Sequence, residues 1–119
     1  MAKKFKTPTL ADIVYQYLGM HQQRARLADY EKLQNMYLKR LQRVDDPTAI
    51  RASLALDTHR HLPVQMRSPA YERLLAIEGR SVTLLREYAQ EMYEFGEDFL
   101  PYADRLWDEA KRLEDQERA

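Results

Sequence analysis

A proline-free segment over residues 10–44 constrains the fold of this chain more than any other feature. Its apolar side chains recur at steps of three and four residues, which places them on one side of an α-helix. Unbroken, such a helix would be about 52 Å long. That exceeds the width of a compact domain of this size, so we expect it to pack against other long helices or a second chain. The apolar positions are Ile13, Tyr17, Met20, Leu27, Tyr30, Leu33, Tyr37, Leu41 and Val44.

The sequence offers two positions at which this helix can start, and one segment in its middle where it can break. Thr7-Pro8 is one helix start, and Thr9 with Asp12 is a second, of the capping-box kind. In the middle, Gly19 costs about 1 kcal/mol relative to alanine. The polar residues that follow it interrupt the apolar stripe, so a break within residues 19–26 is the alternative to the continuous helix that we expect.

Proline and its neighbours mark the remaining helices. Asp46 is a natural N-cap for a second helix over residues 47–62 that begins at Pro47, and Ser68-Pro69 repeats the pattern. A third, long helix follows from Tyr71, tolerates Gly79, and breaks within residues 96–101, where Gly96 and Pro101 lie. The last helix has an apolar face formed by Ala103, Leu106, Trp107, Ala110 and Leu113.

The predicted fold is all-α: an up-and-down helical bundle of about four helices, two of them long and antiparallel. We expect a flexible basic tail over residues 1–7 and a single helical domain over residues 8–119. The long apolar faces also allow a homodimer.

Composition excludes several chemistries. The absence of cysteine rules out disulfides, thiolate metal sites and cysteine nucleophiles. It fits a reducing compartment, and we find neither a signal peptide nor a membrane span, so the expected location is cytoplasmic, without membrane contact.

No catalytic, cofactor or metal residues are expected. None of the three histidines (His21, His59 and His61) follows a glutamate at the three-residue step that di-iron bundles use. No serine lies in a Gly-x-Ser-x-Gly turn, and the three glycines form no phosphate-binding loop. The sequence therefore predicts a protein without enzymatic activity.

Charge is unevenly distributed along the chain. Residues 1–67 hold 12 Lys and Arg against 6 Asp and Glu, whereas residues 68–119 hold 7 against 13, so the two parts carry +6 and −6. In the simpler interpretation, the two oppositely charged parts of the chain attract each other on folding. In the alternative interpretation, the charge asymmetry indicates a charged partner.

An acidic line is the sharpest local pattern. If helical, four carboxylates at steps of four, three and four residues lie on one side, where like charges oppose each other. We predict that this line pairs with a basic stripe on the first helix or binds a basic partner protein. The partner-binding residues in the second interpretation are Glu87, Glu91, Tyr93, Glu94, Glu97 and Asp98.

The basic stripe gives the alternative function. Lys32, Lys39 and Arg43 share one side of the first helix, with Arg40 beside them and tyrosines nearby. Such residues can hold phosphates and stack bases, which would make the protein nucleic-acid-associated. Zero net charge and the lack of a recognisable helix-turn-helix favour instead a small protein-binding module: an adaptor, inhibitor or accessory subunit that acts through helical surfaces. Tyr15 and Tyr93 lie off the apolar stripes, where tyrosines often serve interfaces.

Overall fold

A computed structural model describes residues 7–20 and 23–118. In these two ranges the chain forms six α-helices and no strand. The all-α prediction is confirmed. A four-helix bundle is not, because both segments predicted as long helices are divided. The helices are α1 (Leu10–Gly19), α2 (Leu27–Leu41), α3 (Pro47–Ala55), α4 (Val64–Glu78), α5 (Val82–Glu94) and α6 (Leu100–Arg118), with the 3₁₀ helix Glu97–Phe99 before α6.

The chain divides after Met66 into two compact units. A single domain over residues 8–119 stays a prediction. The tail predicted over residues 1–7 lies outside the described residues except for Thr7, which is exposed.

In the first unit, the continuous helix over residues 10–44 is wrong. α1 ends at Gly19, and Arg24 has a positive φ of 49°, which no α-helix accommodates. α1 and α2 pack against each other, and the ring of Tyr17 meets that of Tyr30 edge-on, with ring centroids 5.2 Å apart. Packing within this unit buries most of the predicted apolar stripe, including Ile13, Leu33 and Tyr37, whereas Leu27 is 73% exposed, contrary to the prediction.

Two predicted caps of the first unit are confirmed, whereas the alternative helix start at Thr7-Pro8 is wrong, because α1 begins at Leu10 with Thr9 as its N-cap. The Thr9 hydroxyl accepts a hydrogen bond from the Asp12 backbone N–H at 3.1 Å, and the Asp12 carboxylate accepts one from the Thr9 N–H at 3.0 Å. The Asp46 carboxylate accepts one from the Thr48 N–H at 2.9 Å and starts α3 at Pro47. Together these bonds satisfy helix N–H groups that have no partner within the helix.

The second predicted helix is shorter than expected. α3 ends at Ala55, because the buried Asp57 carboxylate accepts hydrogen bonds from the backbone N–H groups of His61 (2.7 Å) and Leu62 (2.8 Å) and closes a turn. α3 packs against α1, and its buried Ser53 hydroxyl lies 2.8 Å from the Tyr37 hydroxyl in the core of this unit.

α4 begins earlier than predicted and ends earlier as well. It starts at Val64, so Pro69 lies inside the helix and Ser68 is not its cap. It stops at Glu78, since Gly79 has a positive φ of 91° and the Ser81 hydroxyl caps α5 through a 3.1 Å bond from the Leu84 N–H. The prediction that Gly79 lies within one long helix is wrong.

α5 and α6 form an antiparallel hairpin, the main contact of the second unit. Tyr93, near the end of α5, bonds to Asp104, near the start of α6. Arg86, nearer the start of α5, pairs with Glu114, nearer the end of α6, as expected for antiparallel helices. The predicted break within residues 96–101 is confirmed. Gly96, with φ 106°, begins the 3₁₀ helix, and α6 follows. Its buried residues include Ala103, Leu106 and Ala110, as predicted.

Candidate protein-binding surface

The predicted acidic line is divided in the structure. Glu87 and Glu94 lie exposed on α5, seven residues apart and so on one side of the helix. α5 ends at Glu94, and the backbone changes direction at Gly96. Glu97 and Asp98 are exposed in the 3₁₀ helix and do not continue the α5 register.

Glu91 belongs to an internal ion pair. Its carboxylate lies 3.1 Å from the Arg67 guanidinium, and the two side chains are only 12% and 6% exposed. The Tyr71 hydroxyl donates a weaker hydrogen bond to the same oxygen at 3.4 Å. Arg67 lies outside the predicted basic stripe. The predicted pairing of the basic stripe with the acidic line stays a prediction.

A network of hydroxyl groups lies close to this ion pair. The Tyr88 hydroxyl contacts those of Ser68 and Tyr102, and Tyr102 in turn donates to the Glu72 carboxylate. Burial raises the pKa of Tyr88, and burial followed by the charge of Glu91 raises the pKa of Tyr71. Their rings stack at 5.2 Å between centroids. Both hydroxyls therefore lose their protons at a higher pH than an exposed tyrosine does, because burial disfavours the charged form.

Tyr93 is half-buried and ties α5 to α6. Its hydroxyl donates a 2.7 Å hydrogen bond to the Asp104 carboxylate, which is the main cause of the raised pKa of Tyr93. The other off-stripe tyrosine, Tyr15, lies in the first unit and is 74% exposed.

Trp107 lies at the surface, contrary to the prediction from the sequence. It was predicted on the apolar face of α6, yet its side chain is 43% exposed. The Arg86 guanidinium carbon lies 5.3 Å from its ring centroid, the geometry of a cation–π contact. Charged neighbours at Asp104, Asp108 and Lys111 were a signal that its side of the helix faces solvent.

We call the exposed side of α6 around this tryptophan the Trp107 surface. Leu100 lies two turns before Trp107 and is 37% exposed, so two large apolar side chains share one side of the helix. Exposed Glu97 and Asp98 precede α6 in the chain. The Trp107 surface consists of Leu100, Asp104, Trp107, Asp108 and Lys111.

The predicted nucleic-acid residues are also divided. Lys39, Arg40 and Arg43 line one groove at the end of α2 in the first unit, whereas Lys32 is exposed two turns earlier and does not line it.

The histidines are the first residues to consider as metal ligands. His59 and His61 are exposed with ring centroids 6.0 Å apart, while His21 lies outside the described residues. Among the residues that the structure describes, no group of three or more His, Asp or Glu side chains is arranged to hold a metal ion. None of the described helices combines the length and the hydropathy that a membrane span requires.

The structure thus defines an all-helical protein with a tryptophan-centred exposed surface. Comparison with protein-family models, with curated proteins and with solved structures gives no match for this chain.

Proposed function

We propose that this chain is a non-enzymatic protein-binding module that binds a basic partner protein through the Trp107 surface. The observation that carries the proposal is the exposed Trp107 ring beneath Arg86. Tryptophan is enriched at protein interfaces relative to the rest of the surface, and it is also enriched among the residues that dominate binding energy.

The Trp107 ring supports this proposal because its conformation is restrained as well as because it is exposed. Arg86 contacts Trp107 on one side and pairs with Glu114 on the other, at 2.8 Å. A ring restrained before binding loses less conformational entropy on association, so more of the contact energy contributes to affinity.

The expected charge of the partner follows from the acidic neighbours. Asp104 and Asp108 lie on the surface itself, together with Lys111 and the Arg86 guanidinium over the ring, and Glu97 and Asp98 precede it, so acidic groups outnumber basic ones. Complementary basic groups on the partner would speed association and orient the complex. The exposed Glu87 and Glu94 stay candidates for the same partner, whereas Glu91 is engaged with Arg67.

The proposal is tested by measuring affinity rather than capture alone. Proteins captured from a lysate of the source cells by the wild-type chain are purified, and calorimetry gives their affinity for wild type and for Trp107→Ala. We expect the substitution to weaken binding by about 2 kcal/mol, roughly 30-fold.

The matched control is Tyr15→Ala, which removes an aromatic ring of even greater exposure from the other unit. It should leave the affinity unchanged. Equal affinities for wild type and Trp107→Ala would overturn the proposal, and so would loss of binding on Tyr15→Ala alone.

A further inference from the structure

A second candidate site lies in the first unit, where the start of α1 and the end of α2 form an open groove. Its volume is about 540 Å³, within the range of pockets that hold a ligand the size of a few side chains. The described residues that line it are Thr7, Pro8, Ile13, Met36, Lys39, Arg40, Gln42 and Arg43.

One part of this groove is cationic. Lys39, Arg40 and Arg43 contribute three positive charges, and no carboxylate is among the described residues that line it. Cations at the end of a helix interact favourably with its last carbonyl groups, which is the simplest reason for their position. The Arg40 Nε is buried and has no hydrogen-bond partner among the described residues, as is also true of the Nε atoms of Arg67 and Arg86.

The other part of the groove is apolar, with Pro8, Ile13 and Met36 as its lining. A ligand that matches both parts carries carboxylates beside an aliphatic side chain. Nucleic acid matches less well, because bound bases stack on aromatic rings and the described lining residues include none.

We infer that this groove binds an acidic peptide segment with an aliphatic side chain: its carboxylates pair with Lys39, Arg40 and Arg43, and its aliphatic side chain contacts Met36. This inference goes beyond the proposed function, since it concerns another unit of the chain and a ligand of the opposite charge. The Trp107 surface has no part in it, so each proposal can fail while the other stands.

The test uses calorimetry with the 119-residue chain and defined probes. The main probe is an acetylated and amidated peptide of sequence Glu-Leu-Glu-Glu-Leu-Glu. Its controls are the same peptide with lysine for glutamate, the same peptide with glycine for leucine, and oligothymidylate. We expect only the first peptide to bind with a dissociation constant below about 1 mM, and its binding to weaken as salt is raised.

Substitutions then locate the site. Lys39→Glu and Arg43→Glu each reverse an exposed charge in the groove and should weaken binding about tenfold. The matched control is Lys32→Glu, the same reversal at an exposed position on the same helix outside the groove, and it should change binding less than about twofold. Met36→Gln should weaken binding about fivefold while preserving chain length. Circular dichroism confirms that each variant is folded.

Several results would overturn the inference. One is that the acidic peptide with leucine fails to bind with a dissociation constant below about 1 mM. Another is that Lys32→Glu weakens the binding of this peptide as much as Lys39→Glu does. Equal binding of the glycine peptide would show a general anion surface instead of an amphipathic groove. Preferential binding of oligothymidylate that Lys39→Glu abolishes would assign the groove to nucleic acid.

Discussion

The Arg86 guanidinium covers one side of the Trp107 ring, at 5.3 Å from its centroid, while also pairing with Glu114. An exposed tryptophan is thereby restrained by two elements of one helical hairpin. This arrangement gives α6 a pre-ordered aromatic group at its surface, and it links the stability of the hairpin to the binding that we propose.

The first prediction concerns this contact. Arg86→Met should increase acrylamide quenching of the fluorescence of Trp107, the one tryptophan in the chain, because the ring loses its cover. The free energy of unfolding should fall by only about 1 kcal/mol, since the contact and the ion pair are partly exposed. The matched control is Arg105→Met, which removes a similar contact with Tyr102. Unchanged quenching for Arg86→Met would contradict the proposed restraint.

The second prediction compares a buried ion pair with an exposed one. Arg67→Met should lower the free energy of unfolding by about 3 kcal/mol, because it leaves the Glu91 carboxylate buried without its cation. Arg80→Met removes the partner of the more exposed Glu109 and should cost less than about 1 kcal/mol. Urea unfolding measures both, and similar losses for the two variants would show that Glu91 is more hydrated than the structure indicates.

A third prediction concerns alkaline pH. Tyr71 and Tyr88 have pKa values raised above the ordinary value of 10.0, mainly by burial. The folded chain therefore keeps protons that the unfolded chain releases as pH rises past 10. This contribution to the free energy of unfolding is complete below that pH and is lost above it, by up to about 1.4 kcal/mol per pH unit for each tyrosine.

Urea unfolding between pH 8 and 11, a range set around the ordinary tyrosine pKa, tests this third prediction. Tyr71→Phe/Tyr88→Phe should flatten the decline in stability at the alkaline end. Ser68→Ala serves as the control, because it removes a hydroxyl of the same network without removing a titrating group. The same decline in the double variant as in wild type would refute the assignment.

A fourth prediction concerns glycine conformation. Gly96 has φ 106° and ψ −174°, a region that residues with a side chain rarely adopt. Gly96→Ala should therefore destabilise the second unit by about 1–3 kcal/mol. Gly19→Ala is the matched control, since Gly19 lies in α1 with open space around its Cα, and it should be neutral or stabilise by up to about 1 kcal/mol. Thermal unfolding that ranks the two variants in the opposite order would exclude this explanation.

Local signals in the sequence were sufficient to predict where helices begin or break when the side chain or backbone conformation of a single residue determines that point. The Thr9–Asp12 capping box, the Asp46 cap and the break at Gly96 each depend on nearby atoms, and all three are confirmed. The helix ends at Gly19 and Gly79 were not predicted, because a glycine penalty of about 1 kcal/mol does not by itself end a helix. After Gly19 the chain reverses and brings Tyr17 against Tyr30, whereas at Gly79 the positive φ and the Ser81 cap separate α4 from α5.

The candidate site was less predictable for the same reason. Helical spacing placed Glu91 on the acidic side of α5, yet Arg67, 24 residues away, determines its surroundings. Apolar character placed Trp107 in the core. Ala103 and Ala110, predicted on the same face of α6, are buried as expected, whereas the larger Trp107 ring lies at the edge. Which side chain an element covers depends on its neighbours, and a single sequence does not specify them.

The most direct test of the central claim is site-specific photo-crosslinking in the source cells. A photoreactive phenylalanine analogue replaces Lys111, which lies one turn after Trp107 on the same side of α6, or Ala76, an exposed residue of α4. The account expects a discrete protein adduct from position 111, none from position 76, and loss of the adduct when Trp107→Ala is added. Adducts of equal yield from both positions, or none from position 111, would contradict the assignment of the Trp107 surface as a protein-binding site.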